Sequence, residues 1–402
     1  MTAQPIALQE RIEAMDVLRG FALLGVFAVN MLFFAFPFQQ TMMQPWPQAP
    51  QPWFQVLVLI FLQGKFYCLF SFLFGMGFAE QVDRLQARGE EGGKIYRRRL
   101  LWLLVIGLAH GLLIWMGDIL TVYALLGFLL LLFQKREAKT LLWWAAGLLG
   151  FSTLLFLAGF GLMEMAQSIP QAAAEIEKAA RKQEADTAKA IAESLRIYAH
   201  GPYRELFVLR AKELLGNYGM TLFMAPQIFA MFLLGAWTSR RGVLKSPGAH
   251  RGLVSKVMGF GLLVGLSGSI FNLWCGRNGM PGPGNPLSML GMSVYVFATP
   301  ALTLAYAALL LRGLSGSGAS LLRPLAWNGR MALTNYLMHS ILFTFVFYGF
   351  GLGLFGKVLP SLAFLMALGL WLLQIPLSRA WLTRHPLGPA EAVWRRLTYG
   401  KG

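Results

Sequence analysis

Ten apolar runs of roughly twenty residues, separated by short polar or basic segments, set the pattern of this chain. A helix rises about 1.5 Å per residue and a bilayer core is about 30 Å thick, so each run predicts one membrane-spanning helix. The runs begin near Met15, Trp53, Leu100, Ile119, Thr140, Tyr218, Leu253, Gly291, Trp327 and Val358. One segment breaks the pattern. Residues from Glu164 to Asn217 are rich in Ala, Glu, Lys and Arg, which predicts helix outside the membrane. Ile191, Leu195 and Tyr198 share a face there, so the segment should pack on the protein, as a lid over an opening or as a solvated spacer. The fold class expected is an all-α bundle of about ten transmembrane helices in one domain, residues 1–402, with a helical insert at 164–217 between the fifth and sixth spans.

Composition agrees. Hydrophobic residues make up 56% and charged residues only 13%, about half the charge of a soluble globule. The net charge of +17 suggests nucleic acid at first sight, but the cations sit in loops between apolar runs and form no basic face. Of the 35 Lys and Arg, 24 fall in the termini and in loops 80–99, 134–140, 239–256 and 312–330, whereas the opposite short loops hold only Arg277 and Lys357. By the positive-inside rule both termini are cytoplasmic and the insert is extracytoplasmic. Asp16 and Arg19 interrupt the start of the first run, so it reads as an anchor and not as a cleaved signal. Trp46 and Trp53 flank a proline-rich loop as interface anchors. Gly75 and Gly77, and Gly261, Gly265 and Gly268, allow close helix approach. Cys68 and Cys275, isolated in apolar runs, read as packing residues.

Candidate chemistry concentrates in RRRLLWLLVIGLAHGLLIWMGDILTVY, from Arg97 to Tyr123. Arg97, Arg98 and Arg99 open the helix, where cations and backbone N–H groups both favour phosphate. His110 lies roughly 20 Å further along, deep in an apolar run, where an ionisable group is a functional hypothesis. Gly107 and Gly111 would let a neighbour cover its imidazole. Asp118 either caps the next helix or orients His110 as a base, but eight residues of straight helix separate the two by about 12 Å. A kink, a water or Tyr123 would have to close that gap. Elsewhere, Asp16 and Arg19 share a helix face, Asn30 is a plausible interhelical donor, and Arg330 and Asn335 look like a polar lining. Lys65 lies mid-span if its helix starts at Trp53, or else opens a span preceded by an interfacial segment. His339 and Ser340 follow on the ninth run. The glycine-rich loop at 275–286 lacks the strand of a phosphate cradle. No P-loop, serine nucleophile motif or metal-ligand cluster is evident, so no metal and no tightly bound cofactor are expected. The basic, aromatic tail reads as a membrane-surface segment.

Four stretches, RIEAMDVLRGFALLGVFAVN, GKFYCLFSFLFGMGF, the segment from Arg97 to Gly127, and GRMALTNYLMHS with GPAEAVWRRLTYG, carry a family likeness. Through them nearly the whole chain resembles the YeiB-like bacterial inner-membrane proteins, a domain of unknown function (DUF418). That family looks like a branch of the transmembrane acyltransferases, which include lysosomal heparan glucosaminide acetyltransferases and bacterial glycan-acylating enzymes. The resemblance implies a multi-pass protein of the bacterial inner membrane that takes an acyl group from cytoplasmic acyl-coenzyme A to an extracytoplasmic glycan or lipid acceptor. On that analogy Arg97, Arg98 and Arg99 hold the coenzyme's phosphates and His110 is the base. The similar acetyltransferases place their key histidine elsewhere, so His110 rests on its chemistry and on the YeiB-like motif. His339 falls where related sequences accept glutamine. A transporter of a small anionic or lipidic solute, using Lys65, His110, Asp118 and Arg330, is the alternative. A non-catalytic membrane partner is a third, and it predicts that His110 is freely replaceable by glutamine. A homo-oligomer is left open.

Overall fold

The computed structural model describes residues 12–42, 51–89, 91–278 and 285–400. Trp46 and residues 279–284 of the 275–286 loop, two expectations above, lie outside them. The described residues are helical, without a strand. In chain order the helices are α1 (Glu13–Ala35), α2 (Phe38–Met42), α3 (Pro52–Leu57), α4 (Lys65–Ala87), α5 (Gly92–Ala109), α6 (Leu120–Leu130), α7 (Ala138–Gln167), α8 (Pro170–His200), α9 (Tyr203–Arg240), α10 (Arg251–Asn278), α11 (Pro286–Leu314), α12 (Ala319–Leu322), α13 (Leu325–Arg330), α14 (Ala332–Phe347), α15 (Pro360–Leu382) and α16 (Pro389–Tyr399). Among the described residues seven helical stretches are long and apolar enough to cross a membrane, and Leu120–Phe133 and Ala332–Phe347 are shorter apolar helices. This is a helical membrane protein.

Backbone contact through glycine sets the frame. A Cβ on Gly20 would strike the Leu325 carbonyl, and one on Gly329 the Asp16 carbonyl, so α1 and α13 touch backbone to backbone. Gly75 of α4 and Gly235 of α9 do the same with Phe232 and Phe72. Gly261, Gly265 and Gly268 seat α10 on Ala301, Leu302 and Ala298 of α11. Gly77 instead faces the side chain of Arg19. Close approach of this kind is how helices associate where lipid offers no hydrophobic drive.

Two helices are interrupted. After α3 a π-helical turn, Val58–Leu62, ends at Gln63, and Gly64 takes the positive φ of 82° that favours glycine. Lys65 thus does not lie mid-helix; it opens α4, as the second expectation had it, and the segment before it is helical. Its ammonium is buried, donates to the Leu59 carbonyl at 2.9 Å and contacts the Tyr295 hydroxyl at 3.3 Å. A cation on the last carbonyls of a helical turn meets the negative end of its dipole. The second interruption, at Met331, separates α13 from α14.

The insert is less separate than its composition suggests. α9 runs unbroken from Tyr203, so the sixth expected run continues the insert's last helix. α8 is exposed over most of its length, but Ser194, Ile197 and Tyr198 are buried. Tyr198 stacks near Tyr348 and Phe355, at 4.5 and 4.8 Å between ring centroids, and donates to Glu213. Burial and the Glu213 carboxylate push its phenol well above the usual range. Leu195, expected inward, is 37% exposed and Ile191 half-buried. Cys68 and Cys275 are buried and unpaired.

Candidate functional site

His110 and Asp118 are in direct contact, which straight-helix arithmetic does not allow. From His110 to Ile114 the helix widens into a π turn, a feature common at functional sites, and Trp115 is then extended. The chain reverses there and returns Asp118 to the imidazole, with Nδ1 to Oδ1 at 3.2 Å. No water or Tyr123 bridge is needed. The same carboxylate accepts the backbone N–H groups of Leu120 at 3.2 Å and Thr121 at 2.8 Å, so Asp118 also caps α6. The cap and the contact with His110 thus fall on one residue.

The glycines make the return possible, and the imidazole is covered on one side by the returning segment and on the other by a neighbouring helix, α14. A Cβ on Gly107 would lie 2.7 Å from Thr121 Oγ1 and 3.0 Å from Asp118 Oδ2, whereas one on Gly111 would meet only the Leu214 side chain at 3.1 Å and Asp118 Cβ at 3.3 Å. Gly107→Ala is therefore expected to cost about 1–3 kcal/mol and Gly111→Ala markedly less, read as the difference between their thermal midpoints in detergent. Equal midpoints would refute the crowding argument.

α9 clamps the turn from outside. Buried Arg210 donates to the carbonyls of Leu113 at 2.6 Å and Leu112 at 3.3 Å, the open end of the π turn. Asn217 reaches the Met116 carbonyl at 3.4 Å, and the Tyr218 hydroxyl reaches Asp118 Oδ2 at the same distance. On the other side His110 Nε2 meets Ser340 Oγ of α14 at 2.9 Å. His110, Asp118 and Ser340 are all buried.

Beside them runs a cavity of about 840 Å³. At this end its wall includes Asn30, Trp115, Met116, Gly117, Asp118 and Tyr336, with the His110 ring 5.0 Å behind that of Tyr336. Its middle is apolar, with a band of tyrosines. Tyr123 donates to the Tyr67 carbonyl at 2.8 Å, Tyr67 pairs with Gln227, and Tyr295 contacts the Gln63 carbonyl at 2.5 Å. Its far end is lined by Arg19, Arg84, Arg99, Arg330 and Arg395. The carboxylates there are engaged: Asp16 with Arg19 at 3.1 Å, Glu80 with Arg84 and Lys245 at 3.0 Å each. Glu391 caps α14 through the N–H groups of Leu333 and Thr334. Among the described residues, five guanidinium groups and three carboxylates line this end, and guanidinium groups are the donors that suit a phosphate-bearing ligand.

Several expected residues thus meet around one space and others do not. Asp16, Arg19, Asn30, Asp118, Tyr123 and Arg330 line the cavity. The three arginines stand in the second turn of α5, not at its start, so no free helix N–H groups adjoin them; Arg99 lines the cavity, under the Trp394 ring at 3.8 Å, while Arg97 and Arg98 are exposed. Asn335 instead ties α14 to α15, donating to Ser378 Oγ at 3.1 Å. His339 stacks on Phe27 at 3.9 Å, and neither ring nitrogen has a partner among the described residues, which fits a packing role. The tail is more than a surface segment: α16 brings Glu391, Trp394, Arg395 and Tyr399 to the cavity's basic end.

A helical membrane protein with a paired histidine and carboxylate at one end of a cavity and an arginine cluster at the other is the class this geometry defines. The family described as "Protein of unknown function (DUF418)" matches residues 238–401. The chain is 34% identical to "Uncharacterized protein YxaH" of Bacillus subtilis (strain 168), over 98% of its own length and 96% of the relative's. It is 30% identical to "Uncharacterized 39.9 kDa protein in amylase 3'region" of Bacillus acidopullulyticus, over 99% and 96%. With "Uncharacterized protein YeiB" of Escherichia coli (strain K12) it shares 29% over 97% and 96%. The chain belongs to the YeiB-like DUF418 family.

Proposed function

We propose that the protein is an integral-membrane acyltransferase of the bacterial inner membrane, with ten spans and both termini cytoplasmic. It takes an acyl group from cytoplasmic acyl-coenzyme A and delivers it to an extracytoplasmic glycan or lipid acceptor. One observation carries the reading: the same cavity is lined by Arg99 and four further arginines at one end and by Asp118, bonded to His110, at the other. Eleven helical residues separate Arg99 from His110, roughly 16 Å, a span suited to a donor whose phosphates and reacting carbonyl are far apart. His110, held by Asp118, is the general base for the acceptor's proton. Arginines at the basic end would grip phosphate oxygens.

Calorimetry with acetyl-coenzyme A on purified protein in detergent tests the donor site. Arg99→Ala combined with Arg330→Ala is expected to weaken binding by at least about tenfold per guanidinium, since each charge-assisted bond is worth roughly 1.5–3 kcal/mol. Arg97→Ala with Arg98→Ala should weaken it less, because both side chains point away from the cavity. Absence of binding to folded wild type, with several acyl chains tried, would sink the reading.

Transport of a small anionic or lipidic solute is the second reading, and one observation favours it. Helices around the cavity are interrupted at Gly64 and at Met331, as in many transporters. The interruptions do not fall at matching positions of the two halves. Solute uptake into vesicles without acyl transfer would favour it.

A further inference from the structure

No local motif announces a serine nucleophile, yet the fold assembles one from three separate segments. A carboxylate only accepts hydrogen bonds, so the 3.2 Å contact with Asp118 puts the imidazole proton on Nδ1. Nε2 then presents its lone pair to Ser340 Oγ at 2.9 Å, and the hydroxyl donates to it. A base within reach of a hydroxyl and oriented by a third group is the signature of nucleophilic catalysis, whatever the chain order.

The hydroxyl's own choice of partner supports this. A helical Ser or Thr ordinarily bonds the carbonyl four residues back. Thr221, Thr238 and Ser267 do so at 2.7, 2.8 and 2.7 Å. Ser340 lies 3.3 Å from the Tyr336 carbonyl and 2.9 Å from His110, so its single proton is turned toward the imidazole. The wall in front of the relay holds a second sign. Trp115 lines the cavity with its ring 6.3 Å from His110, and its buried indole N–H has no partner among the described residues. It is a donor left over for the oxygen of an incoming carbonyl.

We infer that acyl transfer in this protein proceeds in two steps through an ester on Ser340, with His110 as the base and Asp118 as its positioning residue. The inference rests on the acyltransferase reading above. In the first step Ser340 Oγ bonds to the thioester carbonyl carbon and its proton passes to His110 Nε2. The C–S bond then breaks, and the departing thiolate takes that proton to leave as free coenzyme A. In the second, an acceptor hydroxyl bonds to the same carbon, its proton passes to His110 Nε2, and the C–Oγ bond breaks as Ser340 regains a proton. No oxidant or metal enters the balance. Ser340 is fully buried, so the donor reaches it once Tyr336, whose hydroxyl rests 3.3 Å from the Gly117 carbonyl, swings from the wall.

The test incubates full-length protein in detergent with acetyl-coenzyme A, quenches in acid, and maps acetyl groups by peptide mass spectrometry while release of free coenzyme A is followed. The wild type should carry one acetyl group on the Ser340 peptide. Ser340→Ala should carry none and release coenzyme A at least about a hundredfold more slowly. Ser340→Cys, the conservative variant, should carry the group as a thioester that neutral hydroxylamine removes. An acetyl group on another residue, or wild-type coenzyme A release by Ser340→Ala, would overturn the relay and leave the acyltransferase reading standing, with His110 acting directly on the acceptor. No release by folded wild type, with longer acyl chains also tried, would overturn both.

Discussion

Protein carrying His110→Gln is expected to bind acyl-coenzyme A as the wild type does and to transfer its acyl group at least about a hundredfold more slowly, the usual scale for loss of a general base. Glutamine is the informative replacement. Its amide can donate to Asp118 and accept from Ser340, so the tether between the π turn, the α6 cap and α14 is kept while the titrating group is lost. A merely structural histidine would tolerate the change, as would a protein whose only task is to hold a partner. Asp118→Asn extends the argument, because asparagine keeps one of the two oxygens that cap α6 but no longer prefers the Nδ1-protonated imidazole, so the rate should fall far more than the loss of part of the cap would explain. The measurement is acyl transfer in a single turnover beside the thermal midpoint of each variant. A His110→Gln protein that transfers at the wild-type rate would end the assignment of His110 as base.

How far such a site can be read from sequence depends on which distances the hydrophobic pattern encodes. Helix phase is encoded. Tyr96, Leu100, Leu103, Gly107 and His110 recur at intervals of three and four and form the inward stripe of α5, and Arg99 adjoins it while Arg97 and Arg98 do not. The choice among the three arginines was therefore legible. The return of Asp118 to His110 was not, because it depends on a π turn and a reversal at Trp115 inside a run that reads as uniformly apolar. Ser340 was out of reach for a different reason: 230 residues separate it from His110, and only the packing of α14 on the π turn joins them. Likewise α16 is visibly amphipathic, but that its aromatic face ends on Arg99 is a tertiary fact. Lys65 shows the converse. Burial at an interrupted helix end turns a costly charge into a cap for backbone carbonyls, and periodicity carries no sign of the interruption except Gly64 itself.

The largest effect on folding is expected from Gly235→Val. Its Cβ would strike the Phe72 carbonyl and lie 2.9 Å from the Met76 backbone nitrogen, and Gly75 opposes Phe232 in the reciprocal way. The obstacles are backbone atoms of an adjacent helix, which cannot swing aside as a side chain can. α4 and α9 would have to separate, and they bound the cavity on both sides of the tyrosine band, through Tyr67 and Met224. Overpacking typically costs about 1–3 kcal/mol, and a rigid double contact belongs at or beyond the upper end. The better helix propensity of the new residue returns less than about 1 kcal/mol. Gly147→Ala and Gly216→Ala are the controls, since neither Cβ would meet any atom within 4 Å; these should be neutral or slightly stabilising. Thermal unfolding followed by size-exclusion profile in detergent separates the cases. A Gly235→Val protein as stable and monodisperse as those controls would show that α4 and α9 do not depend on backbone contact, and the cavity's dimensions would then have to be set elsewhere, through the α1–α13 contact at Gly20 and Gly329.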